Sequence, residues 1–178
     1  MRVLVISDID DIHWTGGSGR VDAIFALGDL SDGVILEAWE QFGAPPVFGV
    51  RGNHDSPVPF PEGITDLHLR TVESGSLKLG GFGGAWRFRP RGNYLYTQAE
   101  VADLLKDFPR VDVFIAHNSP TVHAKDDGVH VGFTAFDDYI REKQPRYFLH
   151  GHQHTIRKSL VGATEVVGVY GWQLLDLP

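Results

Sequence analysis

Short apolar runs, each closed by a polar residue or a glycine, recur along the chain. Residues 2–7 are apolar and rich in β-branched side chains, which predicts a buried strand; residues 22–27 and 47–50 predict a second and a third. About a dozen residues, rich in serine and glycine, join the first two runs. A crossover connection that contains a full helix usually needs a dozen or more residues, so the first helix is expected to be missing or reduced to a turn. Ser31 or Asp32 can cap a helix over residues 34–42, which Gly43 and Pro45 end. Residues 67–73 and 76–79 predict a hairpin about Ser74-Gly75, and the glycine-rich stretch 80–84 predicts a flexible or closely packed crossing. Thr97 and Glu100 form a capping box that opens a helix running to about Asp107, and Pro109 stops it. Residues 111–116 predict another buried strand, 133–143 an amphipathic helix ended by Pro145, and 147–149 a further strand. Residues 156–160, 165–169 and 172–175 read as closing antiparallel strands, with turns at Gly162 and Gly171. No repeat or linker interrupts this order, so residues 1–178 are expected to form a single domain.

The residues that follow the runs carry the candidate chemistry. Asp8, Asp29, Asn53, His117 and His152 each sit just past the C-terminal end of an apolar run. Ligands collect outside the carboxyl ends of strands in open α/β sheets, so these side chains can converge on one place. At Gly151-His152-Gln153-His154 a glycine opens a tight turn and histidines follow at i and i+2. On a strand they would point to opposite faces; on a turn both can face one point, or two points a few ångströms apart, which suits a pair of metal ions. Composition narrows the ions. The chain has nine histidines and no cysteine, so a metal is held by nitrogen and oxygen donors, which suits manganese, iron, zinc, nickel or magnesium. A formal net charge of -7 disfavours nucleic acid or an anionic membrane as a partner held by bulk electrostatics. No apolar run is long enough to span a membrane, and the N-terminal run reads as a strand rather than a signal peptide, which makes the cytoplasm the expected compartment.

Taken in order, Asp8-Ile9-Asp10, Gly28-Asp29-Leu30-Ser31-Asp32, Gly52-Asn53-His54-Asp55, Ala116-His117-Asn118 and Gly151-His152-Gln153-His154 resemble the motifs of the calcineurin-like metallophosphoesterase superfamily. Those motifs are Asp-x-His, Gly-Asp-x-x-Asp, Gly-Asn-His-Asp or -Glu, a lone His, and Gly-His-x-His. The resemblance runs from Arg2 to about Leu160, and a small bacterial subgroup is also resembled through Gly83-Gly84-x-Trp86-Arg87-Phe88 and Tyr96-Thr97-Gln98-x-Glu100. It implies an α/β fold: a four-layer α/β/β/α sandwich of two mixed sheets flanked by helices. It also implies a dinuclear centre of divalent ions, manganese favoured, that hydrolyses a small phosphodiester or phosphomonoester with a metal-activated hydroxide, the diester favoured. By the same resemblance Asp8, Asp29 and His154 would hold one ion and Asp29, Asn53, His117 and His152 the other, with Asp29 bridging. His54 would contact the phosphate and help protonate the leaving oxygen, and Asp55 would orient His54.

One position departs from the pattern, because Asp10 stands where the family has a histidine. Asp10 ligates the first ion, or His13 folds back in its place, or the position is vacant; the first reading is slightly favoured. Residues 126–133 lie on a long loop whose ends are tied near the proposed centre, so His130 or Asp127 can contact substrate, unless the loop merely caps the next helix. Arg87, Arg89 and Arg91 with Asn93 and Tyr94 form a basic cluster that reads as an exposed face rather than a phosphate grip. Two rival functions remain open: a metal-dependent hydrolase that cuts another bond, and a catalytically weak or dead metal-binding scaffold that docks a protein partner. Intact His54 favours an enzyme, and the altered Asp10 position keeps the scaffold in play.

Overall fold

The computed structural model describes all 178 residues. In the first sheet β1 (Arg2–Ser7), β2 (Ala23–Ala26), β3 (Val47–Gly49) and β4 (Ile64–Asp66) run parallel in sequence order. The second is built from β5 (Thr71–Ser74), β6 (Leu77–Phe82), β9 (Val113–Ala116), β10 (Tyr147–His150), β11 (Arg157–Val161) and β12 (Thr164–Gly168). Its order is β11-β12-β10-β9-β6-β5, parallel at the centre with an antiparallel strand at each edge. A short parallel pair, β7 (Ala85–Trp86) and β8 (Leu95–Tyr96), lies apart. The helices are α1 (Asp32–Gln41), α2 (Gln98–Leu105) and α3 (Thr134–Lys143), and none is long and apolar enough to cross a membrane.

Strand alternation sorts the core into layers. Val3, Val5 and Phe25 share one buried cluster with Leu79, Ile115 and Leu149 of the second sheet. Their neighbours Leu4, Ile6 and Ile24 face the other way and pack with Val34, Ile35 and Ala38 of α1. On the far side Phe114, Phe148 and Val166 pack with Val101 of α2 and Phe136 and Tyr139 of α3. Helix, sheet, sheet and helices therefore stack in that order, as the family resemblance implied.

Local signals account for most of the elements. The Ser31 hydroxyl accepts from the Val34 amide at 3.2 Å to start α1, and the Thr97–Glu100 capping box is formed in both directions at α2. No helix joins β1 to β2, which pair in parallel through an irregular crossover over residues 8–22. The glycine-rich crossing is closely packed: a Cβ on Gly81 would lie 2.6 Å from the Ile115 carbonyl oxygen. Three expectations need correction. The strand expected over residues 67–73 begins only at Thr71, while residues 64–66 form β4, too short to show in the apolar pattern. The pair β7–β8 has no counterpart among the expected elements. The last three strands are not one antiparallel set, because β12 runs parallel to β10 and β13 (Gly171–Asp176) crosses over to pair antiparallel with β1, from Arg2 opposite Asp176 to Ser7 opposite Gly171. That crossing lets Leu175 and Leu177 drop into the cluster between the sheets.

Candidate metal centre

Asp8 follows β1, Asp29 follows β2 and Asn53 follows β3; His117 follows β9, and His152 and His154 follow β10. Three strands of one sheet and two of the other thus deliver side chains to one corner. Ligand atoms of Asp29, His117 and His152 lie within 4.8 Å of one another. His117 Nε2 is 3.4 Å from Asp29 Oδ2 and 3.2 Å from Asn53 Oδ1, and His154 Nε2 is 3.4 Å from Asp8 Oδ1. The His152 amide donates to Asp8 Oδ2 at 2.9 Å, which joins the two ligand loops. A cavity of about 510 Å³ opens here, with Asp8, Asp10, Asp29, His54 and His154 in its wall.

Backbone geometry aims these groups. Asp8, Asp29, His152 and His154 all hold left-handed conformations, with φ of 54°, 53°, 62° and 47°. Each such residue costs on the order of 1–3 kcal/mol and persists only where its surroundings impose it. Glycines make the room: a Cβ on Gly52 would fall 2.1 Å from Asp29 Oδ1, and one on Gly151 only 1.9 Å from Ser7 Oγ. Hydrogen bonds then fix which atoms face inward. His117 Nδ1–H donates to the Leu27 carbonyl at 2.8 Å, which turns Nε2 toward Asp29. Ser7 Oγ and the His152 amide both donate to Asp8 Oδ2, leaving Oδ1 without a hydrogen bond. His152 Nε2 is likewise buried without a partner. Buried polar atoms left without a hydrogen bond are costly by themselves and fit a site for cations.

Charge agrees with that donor set. Burial alone would push the Asp29 carboxyl up, yet the His117 and His54 imidazoles and the His54 amide hold it well below the usual carboxylate range. Burial disfavours the charged form of His117, but Asp29 and Asp8 outweigh it and raise its pKa to about 9. His152 is held down to about 3 by burial, helped by His117 and His130, so it is neutral at neutral pH. Ionised carboxylates and neutral imidazoles are the ligating forms, so His152 is ready as it stands, while His117 gives up its Nε2 proton when a cation binds.

The remaining candidates are placed less uniformly. Asp10 is exposed at the cavity rim. His13 does not fold back toward the centre: its Nδ1 meets Glu37 Oε1 of α1 at 2.8 Å, while the next amide, of Trp14, donates to Glu37 Oε2. Asp55 does not reach the His54 ring. Its carboxylate accepts the amides of Gly52, Leu30 and Asp29 at 2.7, 2.9 and 3.0 Å, so it joins two ligand loops instead of orienting the imidazole. The His54 amide donates to Asp29 Oδ1 at 2.8 Å and the side chain stands exposed in the cavity wall. The loop after His117 does hang over the centre, because the His130 ring lies 4.9 Å from that of His152 and 5.7 Å from that of His154. Asp127 holds it there, with Oδ2 2.6 Å from His130 Nδ1.

Much of the basic cluster is used structurally. Arg87 binds the Leu95 carbonyl and Glu100, Asn93 donates to the Asp55 carbonyl, and the Tyr94 hydroxyl donates to the Ser56 carbonyl. Two residues escaped the sequence reading. Arg51 is buried in the cavity wall, 2.7 Å from Asp32 and stacked on Phe60; its place directly before Gly52-Asn53-His54-Asp55 was the available signal. Gln153, the variable position of Gly-His-x-His, donates to Ser119 Oγ and the His130 carbonyl at 2.9 Å and so ties the overhanging loop to the motif; nothing in the sequence marked it.

Two stacked sheets with carboxylates and imidazoles gathered at their carboxyl ends define an α/β protein built around a candidate metal centre. The chain belongs to the calcineurin-like phosphoesterases, a family of metal-dependent phosphohydrolases whose model matches residues 1–155. No curated protein matches the sequence. Among solved structures, TT1561 of Thermus thermophilus is similar, with a TM-score of 0.65 and 16% identity over 98% of this chain and 93% of that one. Wild-type Vps29 complexed with Zn²⁺ from Entamoeba histolytica has a TM-score of 0.51 and 15% identity over 96% of this chain and 74% of that one. A putative 5′-nucleotidase from Staphylococcus aureus in complex with alpha-ketoglutarate has a TM-score of 0.54 and 13% identity over 99% of this chain and 51% of that one. At these identities the likeness is one of fold.

Proposed function

We propose that this protein hydrolyses phosphate esters, diesters ahead of monoesters, at a pair of divalent cations, with manganese favoured. The observation that carries the reading is the donor set of Asp29, His117 and His152, within 4.8 Å of one another, beside Asp8 Oδ1, which accepts no hydrogen bond and lies 3.4 Å from His154 Nε2. Asp8, Asp29 and His154 would hold one ion, with Asp10 at the rim as a further oxygen donor; Asp29, Asn53, His117 and His152 would hold the other. Carboxylate-rich donors favour a harder ion such as manganese over zinc. When bound, such ions supply Lewis acidity to phosphoryl oxygens and lower the pKa of a water. The chain's own groups do the rest. Asp29 holds the His54 amide, which sets the His54 imidazole in the cavity wall where it can hydrogen-bond a phosphoryl oxygen and pass a proton to the leaving oxygen. Asp127 keeps His130 over the same space, a second hydrogen-bonding group for the phosphate. Asp10, Asp11 and Asp32 line the cavity, and Asp32 already pairs with Arg51; the uncompensated carboxylates disfavour a dianionic monoester more than a monoanionic diester.

Turnover of diphenyl phosphate and phenyl phosphate with added Mn²⁺, combined with elemental analysis, tests this. Phenolate is a poor enough leaving group to need the proton. The wild type is expected to bind two ions per chain and prefer the diester, and His54→Ala is expected to keep both ions while kcat falls by about 10²–10⁴-fold. Equal rates in the two proteins would remove His54 as proton donor. A metal-loaded wild type that turns over neither ester would leave the scaffold reading standing.

A further inference from the structure

A second cavity, of about 340 Å³, adjoins the centre and shares Asp8, Ile9, Asp10 and Asp11 with the first. Its other wall is aromatic: Trp14, Tyr170 and Trp172. The fold explains why aromatic surface stands open there. The parallel β1–β2 pair lacks a crossover helix, so the irregular residues 8–22 carry Trp14 over the outer face of the sheet's edge. Gly16 permits this, since a Cβ there would lie 2.2 Å from the Trp14 ring. On the edge strand β13, Gly171 sits opposite Ser7, which places Tyr170 and Trp172 on either side of the position from which Asp8 departs. Trp172 remains 42% exposed and Tyr170 45% exposed, so both rings present open surface to this cavity. The Tyr170 ring stacks on the ring of His154 at 5.1 Å and 24°, which fixes it against a proposed ligand, and Trp172 leans on Trp14 with centroids 6.0 Å apart. The Trp14 Nε1–H is already donated to the Gly17 carbonyl, so Trp14 offers only its apolar surface.

Rigid, half-exposed rings beside a phosphate-sized centre suit a flat aromatic group carried by the phosphoester. With Asp10 a further oxygen donor to the first ion, the Asp11 carboxylate between the two cavities is left to accept hydrogen bonds and repel anions. It selects a neutral aromatic moiety with hydroxyl or amine donors and rejects a ligand with further phosphates. We propose that this aromatic cavity is the nucleoside-binding half of the active site, and that the substrate class is a nucleoside ester of a single phosphate, its base against Tyr170 and Trp172 and its ribose or exocyclic donors at Asp11. This rests on the phosphoesterase reading and adds the group beyond the phosphorus.

Calorimetry on the Mn²⁺-loaded full chain tests it with adenosine 5′-monophosphate, methyl phosphate and phenyl phosphate, which carry the same phosphate group. Adenosine 5′-monophosphate is expected to bind at least about 10-fold more tightly than methyl phosphate, the scale on which one base stacks on an aromatic side chain. That gap is expected to shrink several-fold in Tyr170→Ala and in Trp172→Ala and to persist in Trp172→Phe, which keeps a stacking ring and guards against a variant that fails to fold. The nucleoside assignment is overturned if methyl phosphate binds as tightly as adenosine 5′-monophosphate, if phenyl phosphate matches it, or if the gap survives in both alanine variants. Those three results leave the phosphoesterase reading intact. Absence of Mn²⁺-dependent binding of all three ligands overturns the nucleoside assignment, and it removes the phosphoesterase reading as well if diphenyl phosphate is not turned over either.

Discussion

Asp55 shows how much of this site depends on backbone rather than on the side chains that name it. Its carboxylate collects three amides from two loops, and one of them belongs to Asp29 itself. Burial pushes its pKa up, so the amide bonds are what favour its charged form. Asp55→Ala would strand three donors, two of them buried, and is expected to cost about 3 kcal/mol in urea unfolding while lowering metal content, because both loops lose their tie. A variant as stable as the wild type would show that water replaces the carboxylate freely. The residue types of the centre were legible because a histidine or carboxylate after an apolar run is a local pattern. Their left-handed backbone at Asp8, Asp29, His152 and His154 was not. It is imposed by contacts among loops up to 144 residues apart, such as the bond from the His152 amide to Asp8. The expectation for Asp55 missed for the same reason: proximity in sequence suggested His54, whereas its partners are set by how β2 and β3 end side by side.

At the scale of elements, strands were read well where they lay in an apolar run, the three-residue β3 included, and poorly where no such run marked them or where they depended on a partner. Nothing in residues 64–66 separates β4 from a loop, and the passage of β13 to the first sheet is decided by burial of Leu175 and Leu177, a tertiary choice. Elements also organise a buried chain of polar groups behind the Gly151 turn. His150 Nδ1–H donates to the Gly151 carbonyl, so its Nε2 accepts from His123 Nδ1–H at 2.7 Å, and His123 Nε2 in turn accepts from Ser159 Oγ–H at 2.8 Å. Every group is satisfied while both rings are neutral. Burial, with Arg157 nearby, holds His123 down to about 4, and burial holds His150 down as well. In the unfolded chain both rings take up protons below about pH 6.5 while the native rings do not, so stability is full above that pH and falls as the pH drops toward 4. Urea midpoints across this window are expected to decline in the wild type and to decline less in His123→Gln. Parallel slopes in the two proteins would show that this chain is not what titrates.

For the molecule as a whole, the centre draws on both sheets, so ions held there link the layers. If the proposed centre forms, Mn²⁺ at one hundred times its dissociation constant should raise unfolding free energy by about 2.7 kcal/mol, a gain that EDTA reverses. Urea curves that coincide with and without Mn²⁺ would exclude such a link. The same architecture has a further consequence. Asp8, Asp29 and Asn53 hang from one slab and His117 and His152 from the other, while Phe25, Leu79, Ile115 and Leu149 lie between the slabs like shims. The span across the mouth is therefore gauged deep inside, and thinning one of those spacers, at a cost of about 2–5 kcal/mol in stability, should also loosen any cation site whose donors hang from both slabs.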